Sequence, residues 1–299
     1  MKTTTRLRQL LQQPGIIVAP GAYDCLTARL IEQEGFLAVY MTGAGTAVTQ
    51  VGKPDLGFTT LSEMVAKAAA ITATISVPLI ADADTGYGGA LNVHRTVREY
   101  ERAGVAALHL EDQVFPKRCG HLDGKQVVSS AEMVTKIRAA AEARTDNDFI
   151  IIARTDALAV TGFDDTLRRC YAYAEAGADV LFVEALRTPE EIARLTRAVE
   201  VPLLYNFVEH GKSPLLPVPE LERLGFKIVI FPGSIMLAVI PLVRQLLGEI
   251  KRHGTTAALL DRMTDVVELF ETMGLSEMLA FDARVAARDL APGVTDATP

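Results

Sequence analysis

A length of 299 residues suits one closed α/β barrel and does not require a second domain. With 49% hydrophobic and 22% charged residues, the chain can fill a large apolar core, which excludes disorder throughout. The formal net charge is −7 and the 30 basic residues are scattered, so a nucleic acid partner is not expected. Residues 1–13 are polar and basic without an apolar signal core, and no apolar run reaches the roughly 18 residues of a membrane span. A cytoplasmic protein without membrane contact is the expectation.

Along the chain, short apolar runs at 16–19, 38–41, 79–83, 106–110, 149–153, 180–183, 203–205 and 228–231 predict strands. Segments between them, such as 93–102, 131–143 and 166–176, carry apolar residues at three-and-four spacing and predict covering helices. Gly35, Gly104, Gly177 and Gly225 stand just before strands, where a helix ends in a left-handed residue. Eight βα units in series predict an α/β fold, the closed (β/α)8 TIM barrel. A doubly wound open sheet is the alternative, and no GxGxxG follows the first strand. After the eighth strand, 234–252 and 257–287 read as further helices. Such extra C-terminal helices pack on a neighbouring subunit or are swapped with it, so a homo-oligomer, a tetramer, is expected. One barrel domain over 1–299 is predicted, with 290–299 a flexible tail.

In a parallel barrel the carboxyl ends of the strands converge on one mouth. There the sequence places Asp82 and Asp84, then Glu111 and Asp112, Arg154, Glu184 and Asn206, after strands three to seven in turn. Asp82 and Asp84 are two residues apart, which on a strand sends both to one face, where two carboxylates repel unless a cation lies between them. A hard divalent ion, Mg2+ or Mn2+, shared with Glu111 accounts for the cluster; helix capping is the plainer account of either aspartate alone. The three cysteines, Cys25, Cys119 and Cys170, show neither CxxC nor zinc spacing. Cys119 stands in a polar loop between Lys117, Arg118 and His121, where its ionisation is expected to be favoured, for a role as nucleophile or proton donor. Gly86, Gly88 and Gly89 suggest a mobile loop after the third strand.

The string HLEDQVFPKRCGH at 109–121, with DAD at 82–84, IARTDA at 152–157 and YMTGAG at 40–45, resembles the isocitrate lyase/phosphoenolpyruvate mutase superfamily over nearly the whole chain. The KRCGH element marks the lyase branch and the carboxyphosphonoenolpyruvate mutases. The resemblance implies Mg2+ bound directly by Asp84, with Asp82, Asp55 and Glu111 acting largely through waters. It implies that backbone N–H groups of Thr42, Gly43 and Ala44 hold the carboxylate of a small 2-hydroxy or 2-oxo acid. Arg154 and Glu184 would fix the rest of the substrate, Cys119 and Gly120 would meet the departing fragment, and Asn206 and His121 would bind its oxygens. Lys117 belongs to the same catalytic loop, and Tyr40 is the candidate base for the substrate hydroxyl. The implied chemistry is a retro-aldol, retro-Claisen type cleavage in which Cys119 protonates the departing carbon.

Relatives that cleave tricarboxylates carry two further arginines, and the matching positions here are Leu237 and Val266. Val208 likewise stands where a hydroxyl residue usually binds the succinate-like carboxylate. A buried unpaired carboxylate is costly, so a smaller and less charged leaving fragment is expected, as from a 2,3-dimethylmalate or 2-alkylmalate. A carboxyphosphonoenolpyruvate mutase is the alternative; methylisocitrate cleavage and oxaloacetate hydrolysis are further readings within the fold. A barrel used only as a scaffold is the contrasting class.

Overall fold

A computed structural model describes residues 1–289; the predicted tail at 290–299 lies outside them. In chain order the elements are α1 (Thr3–Gln12), β1 (Ile17–Ala22), α2 (Cys25–Gln33), β2 (Val39–Met41), α3 (Gly43–Thr46), α4 (Leu61–Thr74), β3 (Leu79–Asp82), α5 (Ala90–Arg102) and β4 (Ala107–Glu111). There follow α6 (Ser130–Ala143), β5 (Ile150–Thr155), α7 (Phe163–Glu175), β6 (Val180–Val183), α8 (Pro189–Ala198), β7 (Leu203–Asn206), α9 (Val218–Arg223) and β8 (Phe226–Phe231). Three helices complete the chain, α10 (Ser234–His253), α11 (Val266–Thr272) and α12 (Leu275–Asp289).

The eight strands pair in parallel and in sequence order, and β8 returns to β1, so the sheet is the closed (β/α)8 barrel and not the open one. Alternation along each strand sends one set of side chains inward and the other outward. Ile17, Ala19, Ile80, Ile150, Ile152, Val180, Leu204, Ile228 and Ile230 point into the barrel and form one buried cluster, which Leu7 of α1 joins. Their neighbours Met41, Leu79, Ala81, Leu108, Ile151, Leu181 and Val229 point outward into a second layer beneath the helices. Helix starts are fixed locally, with capping boxes at Asp24/Thr27, Thr60/Glu63 and Thr188/Glu191. Helix exits use the expected glycines: Gly35, Gly104, Gly177 and Gly225 all have positive φ.

Two compact units are described, Met1–Val239 and a second that begins at Ile240. The second unit contributes no buried residue among those described, and Leu242, Leu247, Val267, Phe270, Leu279 and Phe281 are exposed on it. No helix of the described residues is long and apolar enough to cross a membrane.

Candidate active site

The inward positions turn from apolar to polar as the strands approach their carboxyl ends. Ile80 gives way to Asp82, Ala107 to His109 and Glu111, Ile152 to Arg154, Phe182 to Glu184, and Leu204 to Asn206. The polar members are all buried. Above them opens a cavity of about 390 Å³ lined by Tyr40, Thr42, Ala44, Asp55, Asp82, Cys119, Gly120, His121, Arg154, Glu184 and Asn206, among others. Eleven predicted site residues therefore meet in one place. Gly43, Lys117, Asp84 and Glu111 do not line the cavity but stand just behind its wall, each in contact with a group of the site.

The alternation argument for Asp82 and Asp84 needs correction. β3 ends at Asp82, and Asp84 lies beyond it in a left-handed conformation (φ 47°), so strand geometry does not place it. Its N–H donates to Asp82 Oδ1 (2.9 Å), a local turn that keeps the two carboxylates adjacent. Thr59 Oγ1 donates to Asp84 Oδ2 (2.9 Å), while the Lys117 ammonium sits between Asp84 Oδ1 (2.8 Å) and the Asp55 carboxylate. Burial lowers the pKa of that ammonium, but Asp84, Asp55, Glu111 and Asp82 together hold it well above its ordinary value. Burial raises Asp84 and Glu111, with Lys117 and Arg154 only partly opposing. At Asp82, burial is outweighed by His109, Lys117 and Arg154, so that carboxylate is lowered.

No group of three or more His, Cys, Asp or Glu side chains among the described residues is arranged to hold an ion unaided. The donor set nevertheless fits Mg2+, which takes one or two carboxylates directly and keeps several waters. Glu111 Oε1 is buried with neither a hydrogen bond nor an ion pair, an orphan that a cation or one of its waters would satisfy, while Asp84 Oδ1 and Glu111 Oε2 face Lys117 (2.8 Å) and Arg154 (3.1 Å).

The expectation that Cys119 ionises readily is overturned. Its sequence neighbours spend their charge elsewhere, Lys117 on Asp55 and Asp84, and Arg118 on the carbonyl of Asp123 (3.1 Å). Burial therefore dominates and raises the thiol, which suits a proton donor. His121 Nδ1 accepts from Lys212 N–H (2.9 Å), so the neutral ring carries its proton on Nε2, which faces Glu184 Oε1 at 3.1 Å. Glu184 also accepts from Asn206 Nδ2 (3.0 Å) and faces Arg154 Nη2 (3.3 Å); against burial, Arg154, His121 and Lys125 hold it well below the carboxylate range.

Tyr40 lies at the cavity floor with its hydroxyl 2.8 Å from His109 Nε2. Burial and Asp82 push that hydroxyl well above its ordinary value, so at neutral pH it donates, which disfavours the base role expected from sequence. The turn at 42–44 is the start of α3: Thr42 caps it by accepting from Gly45 N (3.2 Å), leaving the first helical N–H groups without intrahelical partners. Only glycine fits at 43, because a Cβ there would lie 2.2 Å from Asp82 Oδ2.

His109, Lys125 and Asp156 are residues the sequence reading missed. His109 could have been found as the inward position between Ala107 and Glu111; Lys125 and Asp156 meet only in three dimensions. Asp112, grouped with the acidic mouth, faces the opposite side of β4 and is taken up by Thr155, Arg169 and Tyr173. Leu237 lines the cavity as expected, and Val266 lies on α11, in the second unit. Gly86 is explained by packing, since a Cβ there would meet Val93 at 2.5 Å.

The family model described as phosphoenolpyruvate phosphomutase matches residues 7–251. A 2,3-dimethylmalate lyase of Eubacterium barkeri is 47% identical over 93% of this chain and 96% of its own. A 2-methylisocitrate lyase of Aeropyrum pernix is 45% identical over 94% and 91% respectively. Among solved structures, an oxaloacetate acetylhydrolase in complex with the inhibitor 3,3-difluorooxalacetate superposes with a TM-score of 0.91 at 42% identity, covering 95% of this chain and 97% of that one. With the barrel, the acidic mouth and the Cys119 loop in place, the chain belongs to the isocitrate lyase/phosphoenolpyruvate mutase superfamily.

Proposed function

We propose that the protein is a Mg2+-dependent carbon–carbon lyase that cleaves a 2-hydroxy dicarboxylate of the 2,3-dimethylmalate or 2-alkylmalate type into pyruvate and a small monocarboxylate. The observation that carries the choice of substrate is the cavity wall. Leu122, Val208, Pro232, Met236 and Leu237 make one side of it largely apolar, with Glu209 and His210 as its polar members. Arg154 is the one lysine or arginine among the described lining residues, and Glu111, Asp156 and Glu184 already neutralise it. A third substrate carboxylate would enter without a partner, at a cost of about 3 kcal/mol or more.

Asp84, Asp82, Asp55 and Glu111 would hold the metal, Mg2+ or Mn2+, which when bound polarises the hydroxyl and carboxylate of the oxo-acid half. The α3 turn at Thr42, Gly43 and Ala44 offers N–H groups to that carboxylate, and Arg154 orients the same half. As the hydroxyl passes its proton to water and the ketone forms, the electron pair of the broken bond passes to the departing carbon. The Cys119 thiol supplies the proton that carbon takes up, and the proton that water received from the hydroxyl restores the thiol. Asn206 Nδ2 and the His121 ring hold the fragment's carboxylate oxygens, where negative charge develops. The unpartnered apolar side chains of α10 to α12 support a homo-oligomer.

The test is a panel assay with Mg2+ present, comparing 2,3-dimethylmalate, methylisocitrate, oxaloacetate and a carboxyphosphonoenolpyruvate analogue. The highest kcat/KM is expected for the dimethylmalate. Preference for either of the next two reassigns the leaving fragment, rearrangement of the last reassigns the protein as a mutase, and turnover of none would leave a scaffold.

A further inference from the structure

We infer that Lys125 is the latch that seats the Cys119 loop against the strand carrying Arg154, and so is a positioning residue for the reaction. The inference rests on reading the cavity as a lyase site. Lys125 lies five residues beyond Gly120, on the returning limb of a hairpin whose stem is closed by the Gln113–Val127 bridge and by Val114 N donating to Gln126 O (2.9 Å). Its side chain is 1% exposed, and its ammonium donates to Gly120 O (2.5 Å) and to Asp156 Oδ1 (2.7 Å).

Asp156 is a fixed anchor. Its Oδ2 accepts from Arg154 Nε (2.9 Å), its Oδ1 faces Arg154 Nη2 (3.2 Å), and its own N–H donates to Asp112 Oδ1 (2.9 Å). Asp112 is held in turn by Thr155 Oγ1 (2.7 Å) and Tyr173 OH (2.8 Å). Gly120 is thus gripped from two sides: its carbonyl by Lys125, and its α-carbon by Arg154 and Glu184, which leave no room for a Cβ. Cys119 and His121 flank that one residue, so its placement sets theirs.

The other ties of the loop lead elsewhere. Lys117 reaches Asp55 and Asp84, Cys119 N–H donates to Asp55 O (3.2 Å), and His121 is held by Lys212. Among the hydrogen bonds of the described residues, Lys125 makes the one link from the loop to Asp156. A lysine suits the role because one ammonium has three donors and can reach a carbonyl and a carboxylate together. A buried ammonium so satisfied resists displacement by water.

The experiment replaces Lys125 by Met, which keeps the apolar stem while Asp156 retains Arg154. Iodoacetamide labelling of the full-length protein, with Mg2+ present, is quantified by peptide mass spectrometry at Cys119, with Cys25, half-buried as Cys119 is, as internal reference. Loss of the ammonium's two hydrogen bonds, to Gly120 O and Asp156 Oδ1, should raise the Cys119-to-Cys25 labelling ratio about tenfold and lower kcat for 2,3-dimethylmalate by a similar factor, with a smaller change in KM. A merely structural lysine would raise labelling at both thiols together. A Cys119-to-Cys25 ratio within about twofold of the native protein overturns the latch. Should Lys125→Met not fold, Lys125→Gln, which retains one donor for Gly120 O, should show a smaller rise in the same ratio, and an unchanged ratio overturns the inference there too. If the native protein does not cleave dimethylmalate, the substrate assignment fails while the labelling ratio still decides the latch.

Discussion

Replacing Gly120 by Ala tests the site's geometry with a single methyl group. Gly120 has no positive φ, so alanine meets no backbone strain and the effect is steric. The added Cβ would fall 2.5 Å from Arg154 Nη2 and 2.5 Å from Glu184 Cγ and Cδ. Ordinary contact begins near 3.4 Å, so these groups or the loop must retreat by about 1 Å. Neither group is a free side-chain end: Arg154 is bound to Asp156 (2.9 Å) and faces Glu111 (3.1 Å), and Glu184 is bound to Asn206 (3.0 Å). Overpacking of this kind costs about 1–3 kcal/mol of stability, a fall of a few degrees in Tm. A misplacement of about 1 Å at the reacting groups costs roughly a hundredfold in rate, so activity should suffer far more than folding does. Initial rates of pyruvate release from 2,3-dimethylmalate with Mg2+, beside a thermal melt, give both numbers. Gly89→Ala is the control for activity, since nothing lies within 4 Å of its added Cβ; as the N-cap of α5 it should cost a little stability and leave the rate unchanged. A Gly120→Ala enzyme with kcat/KM within about threefold of native would refute the close approach.

Excess chelator should abolish turnover and Mg2+ or Mn2+ restore it, with Asp84→Ala more damaging than Asp55→Ala; full activity in chelator would dismiss the metal. Cys119→Ala should lower kcat about a hundredfold with the fold intact, as loss of a general acid does, and an unchanged rate would leave the thiol a packing residue. Because burial raises that thiol, its proton persists at neutral pH and is lost only as pH rises, so kcat should fall on the alkaline side and the Cys119→Ala variant should lose that limb. Leu237→Arg, which adds a cation to the apolar wall, should shift the ratio of kcat/KM for methylisocitrate over dimethylmalate upward by about tenfold or more; a native preference for methylisocitrate would defeat the pocket argument.

The barrel was legible because alternation and helical period are local properties, and eight apolar runs in series admit few architectures. The polar ends of the strands were legible for the same reason, which is why Asp82, Glu111, Arg154, Glu184 and Asn206 were found by position. What misled was adjacency in loops. Lys117 and Arg118 flank Cys119 in sequence, yet the carboxylates of Asp55 and Asp84 and the carbonyl of Asp123 draw their charges away. Asp84 reached the cluster through a left-handed turn that strand periodicity does not encode. The partnership of Lys125 with Asp156 spans 31 residues and has no local signature.

The cavity draws Asp82, Arg154 and Glu184 from β3, β5 and β6, but most of its apolar wall from the segments that follow β7 and β8. Val208, Met236 and Leu237 carry no charge, and none of the side-chain hydrogen bonds of the acidic cluster involves them. Substitutions there should therefore combine with changes in the cluster almost additively. A lineage built on this barrel can exchange one leaving fragment for another by drift at two loops while its bond-breaking apparatus stays under unbroken selection, and duplicated copies need not pass through an inactive ancestor to diverge.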